Sequence, residues 1–248
     1  TQNANAVALT GGAIDGATVG ATTPATGKFT ALTVSAGTTS VAPITLTSGT
    51  NLTTPAAGAI EFDGKAFYAT AVASSRQVLA AEQVTTVQVS GGVAGSNGTS
   101  AQSVFEAAAD ALTVAASTTY LFEALYIITR SAGTTAHATS LLFGGTATFT
   151  KCVYLAQWTN GGAGVANGVT QNRSTVATAF KIIASSSAAN ESLVIRLTGM
   201  LRINAGGTII PQFQYSVAPG GAPTTEEGSF FRLRPIGSDT VRSVGNWS

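Results

Sequence analysis

The side chains able to do chemistry are few in this sequence, and they are badly placed to work together. His137 is the single histidine. A Ser-His-Asp scheme would need it as base, and no G-x-S-x-G elbow accompanies it. Within SAGTTAHATS, residues 131–140, it reads as a loop or edge-strand residue. Cys152 is the only cysteine, which excludes an internal disulfide and a multi-cysteine metal site. In KCVYLAQW it alternates with apolar neighbours and reads as a small buried hydrophobe. The eleven carboxylates include two close pairs, Glu61 with Asp63 and Glu226 with Glu227. A glycosidase works through two carboxyl groups, but the first pair brackets a hairpin turn and the second lies in the loop APGGAPTTEEGS. No calcium loop of alternating Asp and Asn is present, and glycine strings such as GGVAGSNG lack the Lys-Ser/Thr of a phosphate cradle. The expectation is a protein that is not an enzyme and needs no cofactor or metal.

Composition points the same way. Of 248 residues, 44% are hydrophobic and only 9% charged, so the chain has apolar surface enough to offset the entropy of ordering. Its polarity comes from Thr, Ser, Asn, Gln and Gly, a surface that suits extracellular adhesins, shells and fibres. Twelve basic residues against eleven acidic ones leave a net charge of +1. They are scattered singly, with Arg232 and Arg234 the nearest approach to a cluster, so no footprint for nucleic acid or an acidic membrane is visible. The densest apolar run, residues 121–128, is interrupted by Glu123 and is too short to span a bilayer. The N-terminal residues show no basic region followed by an apolar one, so no signal peptide is read there; release within an assembled particle is the route expected.

The elements that would position any site fall into three stretches. Residues 1–60 consist of short apolar triplets divided by Gly, Thr, Ser and Pro, each too short to bury a core within one chain. Several copies wound about a shared axis could do so, with Val7, Leu9, Ile14, Val19, Phe29, Leu32 and Val34 pointing inward. Residues 61–80 read as a hairpin connector, turned at Asp63-Gly64. Residues 81–248 carry longer strands with sharper alternation, implying a sandwich or jelly roll. Tyr120, Phe122, Ala124, Tyr126 and Ile128 share a face, although the opposite face is also fairly apolar, as in a strand inside a sandwich or at an oligomer contact. Leu193, Ile195, Leu197, Leu201 and Ile203 share another, with Arg196 and Arg202 opposite. Phe213, Tyr215 and Val217 group together in GTIIPQFQYSV, and GSFFRLRPIG closes the series. SVFEAAADALTV is either a brief helix or a strand with a turn at Ala-Asp. SGGVAGSNGTSAQ and TNGGAGVANGVTQN read as loops.

NANAVALTGGAIDGATVGATTPATGKFTAL, residues 3–32, resembles a repeat-like element of bacteriophage tail fibres and related virion appendages. IEFDGKAFYATAVASSRQVL resembles the connector that often follows, and GSFFRLRPIGSDTVRSVGNWS is similar to the C-terminus of the same group. With both ends matched, a complete short appendage is expected. The resemblance implies a homotrimer with a thin intertwined β stem and a β-sandwich head, similar in strand pattern to the trimeric jelly rolls of complement and tumour-necrosis-factor type. It implies a place on the virion exterior, with two further copies of the chain and capsid or tail proteins as partners. A head contacting host surface glycans is expected, with Tyr154 and Trp158 as aromatic candidates unless they serve core or trimer packing. The alternatives are a capsid decoration or cement protein, a polysaccharide-degrading tail spike and a non-viral bacterial adhesin. No nucleic acid and no membrane insertion are expected.

Overall fold

The computed structural model describes residues 30–79, 84–87, 91–107, 109–161, 168–174 and 178–238. Of the expected stem-core residues, Val7, Leu9, Ile14, Val19 and Phe29 lie outside these. The described residues are all-β, with no helix. In chain order the strands are β1 Ile60–Phe62, β2 Phe67–Val72, β3 Ser75–Leu79, β4 Val84–Val87, β5 Val93–Ala94, β6 Gln102–Ser103, β7 Leu112–Val114 and β8 Thr118–Arg130. There follow β9 His137–Gly144, β10 Phe149–Asn160, β11 Gly168–Ser174, β12 Phe180–Ser186, β13 Glu191–Ile203, β14 Gly207–Tyr215, β15 Thr224–Thr225 and β16 Phe230–Ser238.

Two sheets form a sandwich-like arrangement. The larger runs β11-β10-β13-β8, after which β15 and β16 lie end to end along β8, with β5 beside β15 and β4 beside β16. The smaller runs β12-β9-β14-β6, with β7 also paired to β14. β8 and β13 hold a register of thirteen residue pairs without a bulge; the alternation of β13, with Arg196 and Arg202 opposite its apolar set, fixes which face turns inward. The inward face of β8 carries Tyr120, Phe122, Ala124, Tyr126 and Ile128, and that of β13 carries Leu193, Ile195, Leu197, Leu201 and Ile203, all buried as the alternation requires. Phe122 lies 5.6 Å from Phe143 of the smaller sheet and 5.5 Å from Phe231 of β16, ring centre to ring centre. Each such side chain taken wholly from water contributes about 1.5–3 kcal/mol.

One backbone position makes this aromatic packing possible. Gly199 sits on the inner face of β13 between Tyr154 and Phe122. A Cβ there would fall 2.4 Å from the Val153 carbonyl oxygen and 2.6 Å from both Phe122 Cε1 and Tyr154 Cβ. The two rings meet edge to face, 6.1 Å apart, across the gap left by the glycine.

The remaining elements differ in places from the sequence reading. The connector is a three-stranded antiparallel meander, β1-β2-β3; its first turn is at Asp63-Gly64 as expected, with Gly64 at φ +81°, and a second passes through Ser74. Val217 is 47% exposed beyond the end of β14, so it does not join buried Phe213 and Tyr215. The last five residues of the expected loop TNGGAGVANGVTQN belong to strand β11, held by pairing to β10 rather than by their own composition. SVFEAAADALTV takes the turn option: Val104 and Phe105 are buried, Ala109 N–H donates to Glu106 O at 2.8 Å, and β7 follows.

The chain separates into two compact units, Thr1–Thr45 and Leu46–Ser248. In the first, residues 30–45 are exposed and without strands. A single tight turn brings Thr38 N–H to Val41 O at 2.9 Å. In the second, residues 46–59 lie along the meander. Gly49 N–H donates to Phe62 O, Leu52 N–H to Glu61 Oε1, and Ser74 N–H to Pro55 O, at 3.0, 2.6 and 2.9 Å. Lys65 Nζ donates to Ser117 O at 3.0 Å, joining the meander to the sandwich.

Candidate functional site

The residues singled out for chemistry are used structurally. His137 is neither in a loop nor on an exposed edge: it opens β9 with its side chain buried. It belongs to a polar cluster at one end of the sandwich that joins the two sheets. Glu191 opens β13 opposite Arg130 at the end of β8, and Ser186 closes β12 opposite His137. Arg130 Nη2 lies 2.7 Å from Glu191 Oε2, and Ser186 Oγ donates to Glu191 Oε1. His137 Nε2 is 3.2 Å from Glu191 Oε2, while its Nδ1 is 2.9 Å from the Thr135 carbonyl oxygen. Both ring nitrogens lie within hydrogen-bond distance of an oxygen acceptor. Arg130 spends its other donors on the carbonyls of Ala132, Gly133 and Ala188. Tyr215 stacks edge-on to His137 at 4.9 Å, and burial, with Glu191 nearby, pushes its phenol upward.

The cluster holds a serine, a histidine and a carboxylate without forming a catalytic triad. Ser186 donates to the carboxylate instead of to the imidazole, so the bond that activates a nucleophile is missing. All three are buried. Three of the four carboxylates in the two close pairs are held by partners within the fold. Glu61 binds Arg76 at 2.8 Å, and that bond, with the Leu52 N–H, lowers its pKa. Asp63 caps its own turn through the N–H groups of Lys65 and Ala66, both at 2.9 Å, and accepts from Tyr68 at 2.9 Å. Glu226 accepts from Thr129. Cys152 is buried in the core, where desolvation pushes its thiol up to about 12. Among the described residues no group of His, Cys, Asp or Glu could hold a metal ion, and no helix is long and apolar enough to cross a membrane.

Tyr154 is buried in the core, so it does not serve as a glycan contact; it lies on the same face of β10 as Cys152. Trp158 is partly buried and packs against that core, its ring lying against Gly168 of β11. Leu32 and Val34, the two stem-core candidates among the described residues, are 66% and 42% exposed.

The surface with binding chemistry is the outer face of the larger sheet. Register places its side chains in rows across β10, β13, β8 and β16. One row is Gln157, Arg196, Leu125 and Phe230; the next is Leu155, Thr198, Glu123 and Arg232; the third is Val153, Met200, Leu121 and Arg234. Lys151 and Arg202 follow as neighbours on β10 and β13. Among the described residues these four strands carry five cations on this face against one carboxylate, Glu123, in a chain whose total charge is only +1. Glu226, the next acid along β8, meets the face at Thr129, about 20 Å from Glu123 at strand rise. Arg232 binds Glu123 with Nε at 3.1 Å, and that bond lowers the glutamate pKa, helped by the charges of Arg196 and Arg234.

Small Thr198 and Gly199 leave a groove of about 160 Å³, lined also by Leu121, Glu123, Arg232 and Arg234. Half-exposed aliphatic side chains with guanidinium groups spread over about 20 Å suit an extended polyanion with apolar ring faces between its charges better than a single small ion. The sequence reading found these cations scattered because they are dispersed along the chain. The signal was parity: each takes the position opposite the apolar set of its strand.

Comparison with known proteins gives no matching family model, no matching curated protein and no matching solved structure.

Proposed function

We propose that the chain is a non-enzymatic appendage protein of the outer surface of a bacteriophage virion. It is a homotrimer whose N-terminal segment forms a stem and whose jelly-roll-like head contacts the host surface. The observation that carries this reading is the condition of residues 30–59. Leu32, Val34, Val41, Ile44, Leu46 and Leu52 recur through it at 40–66% exposure, and it holds no strand of its own. A chain with so many aliphatic side chains open to water gains about 1.5–3 kcal/mol for each one that a neighbour covers fully. Copies of the same segment, wound together, are the cover always at hand.

The connectivity of the head supports the jelly-roll reading. The chain changes sheets at nearly every long strand: β8 larger, β9 smaller, β10 larger, β12 smaller, β13 larger, β14 smaller and β16 larger. Crossing of this kind, rather than a run of hairpins within one sheet, is what a jelly roll requires. The cationic outer face makes acidic polysaccharides of the host surface the ligand class that suits the head best.

The test is sedimentation equilibrium of the purified chain. A folded species at three times the 24.7 kDa chain mass is expected; a well-folded monomer would remove the reading. Gold labelling of intact particles then separates a tail fibre from a capsid-decorating protein, and label on neither rejects a virion role.

A further inference from the structure

One face of the meander β1-β2-β3 is apolar, uncharged and open. Register puts Phe62, Phe67 and Leu79 in one row and Ile60, Ala69 and Gln77 in the next, all on the same side. Ile60, Phe67 and Leu79 are 62%, 37% and 52% exposed. The rings of Phe62 and Phe67 stack at 4.5 Å with 18° between their planes, which makes a flat aromatic surface. The opposite side is already occupied: Tyr68 and Thr70 are buried, and Glu61 and Arg76 are tied to each other. Leu52 crosses over that pair, its N–H on Glu61 and its carbonyl on Arg76.

We infer that this open face, Ile60, Phe62, Phe67 and Leu79, is a contact between copies of the chain, forming an apolar collar between stem and head. The inference rests on the trimeric reading and says where in the second unit the copies touch. Three arguments select a second copy as occupant. The face carries no charged side chain, so identical faces meet without the repulsion that the cationic face of the head would produce. Four apolar side chains cover less than the roughly 800 Å² per partner of a stable interface, so the face works together with neighbouring chain. The shortfall is met by exposed aliphatic chain immediately upstream, where Ile44 and Leu46 are 60% and 40% exposed. Lastly, stacked aromatic and aliphatic groups, with Gln77 at their edge as the polar side chain of the two rows, are the chemistry of permanent interfaces, which a transient host partner would leave open to water.

The experiment uses the full chain with Phe67→Lys, Leu79→Lys, and Val217→Lys as an exposed control elsewhere. Sedimentation gives the association state, and near- and far-ultraviolet circular dichroism reports folding. The expected result is a trimer for the unaltered chain and for Val217→Lys. The two meander variants should yield a folded monomer, with association weakened at least ten-fold. A second measurement covers variants that fail to fold. Phe67→Cys, treated with a short bismaleimide, should give chains linked in pairs, while unaltered chain does not react because Cys152 is only 1% exposed. Trimers that persist in both lysine variants, or a Phe67→Cys protein that trimerises but does not cross-link, would overturn the collar and leave the trimeric reading standing. A monomeric unaltered chain would defeat that reading itself.

Discussion

At the scale of single residues, the informative group is the buried carboxylate of Glu191, which answers Arg130, Ser186 and His137 at once. Its value lies in what its removal leaves behind. A buried ion pair adds little net stability over a packed apolar one, but breaking it strands the other charge in a low dielectric. Glu191→Gln keeps the shape and deletes the charge, so the Arg130 guanidinium, with no exposed side-chain surface, loses its counter-ion. We expect a loss of about 3–5 kcal/mol, measured as a shift in urea unfolding at constant m-value. A loss below 1 kcal/mol would mean that the cluster is wet or dispensable. None of this could be read in the sequence. Arg130, His137, Ser186 and Glu191 are spread over sixty residues, and His137 stands among the small polar residues of a turn. Its burial is decided by strand ends that only the fold brings together.

At the scale of elements, alternation made the long strands legible, and composition misled where pairing outweighs it. The inner faces of β8 and β13 could be read residue by residue because a period of two sets each apolar group on one face. β11 could not: Gly168, Asn172 and Ser174 disfavour a strand, and only the exposed edge of β10 makes one of them. Gly199 was equally hidden, since a glycine within a strand signals close approach without naming what approaches. Gly199→Ala should cost about 1–3 kcal/mol, because Phe122, Tyr154 and a strand backbone must all give way; an unchanged thermal midpoint would contradict the packing described. The meander offers a pH test. The Glu61 pKa is lowered chiefly by Arg76, so the carboxylate form favours the fold. That contribution is complete above the ordinary value of 4.5 and is lost as pH falls through the lowered one. Protection factors in β1 and β3, taken against the intrinsic exchange rate at each pH, should therefore fall on acidification below about pH 4.5, and Glu61→Gln should show the lowered protection at neutral pH already.

At the scale of the whole molecule, a net charge of +1 conceals a division of charge between surfaces. Lys151, Arg196, Arg202, Arg232 and Arg234 gather on one sheet face, while Glu191 is buried and Glu61 is bound to Arg76. Charges grouped over about 20 Å act together on an extended polyanion, each guanidinium contributing modestly and all of them weakening with salt. Arg196 and Arg234 are the exposed pair of the five, whereas Arg232 already binds Glu123, so they are the pair to remove. The double variant Arg196→Ala/Arg234→Ala should bind heparin or alginate about ten-fold more weakly than the unaltered chain by titration calorimetry. Lys181→Ala, an exposed cation on the smaller sheet, should bind nearly as well as the unaltered chain. Heparin probes sulfates and alginate carboxylates, so their ratio tells which acid the face prefers; neutral dextran should not bind, and raising salt from 50 to 500 mM should weaken both acidic polymers steeply. Equal losses in the two variants would reduce the effect to overall charge, and a double variant that still trimerises yet binds as before would leave the face without this role.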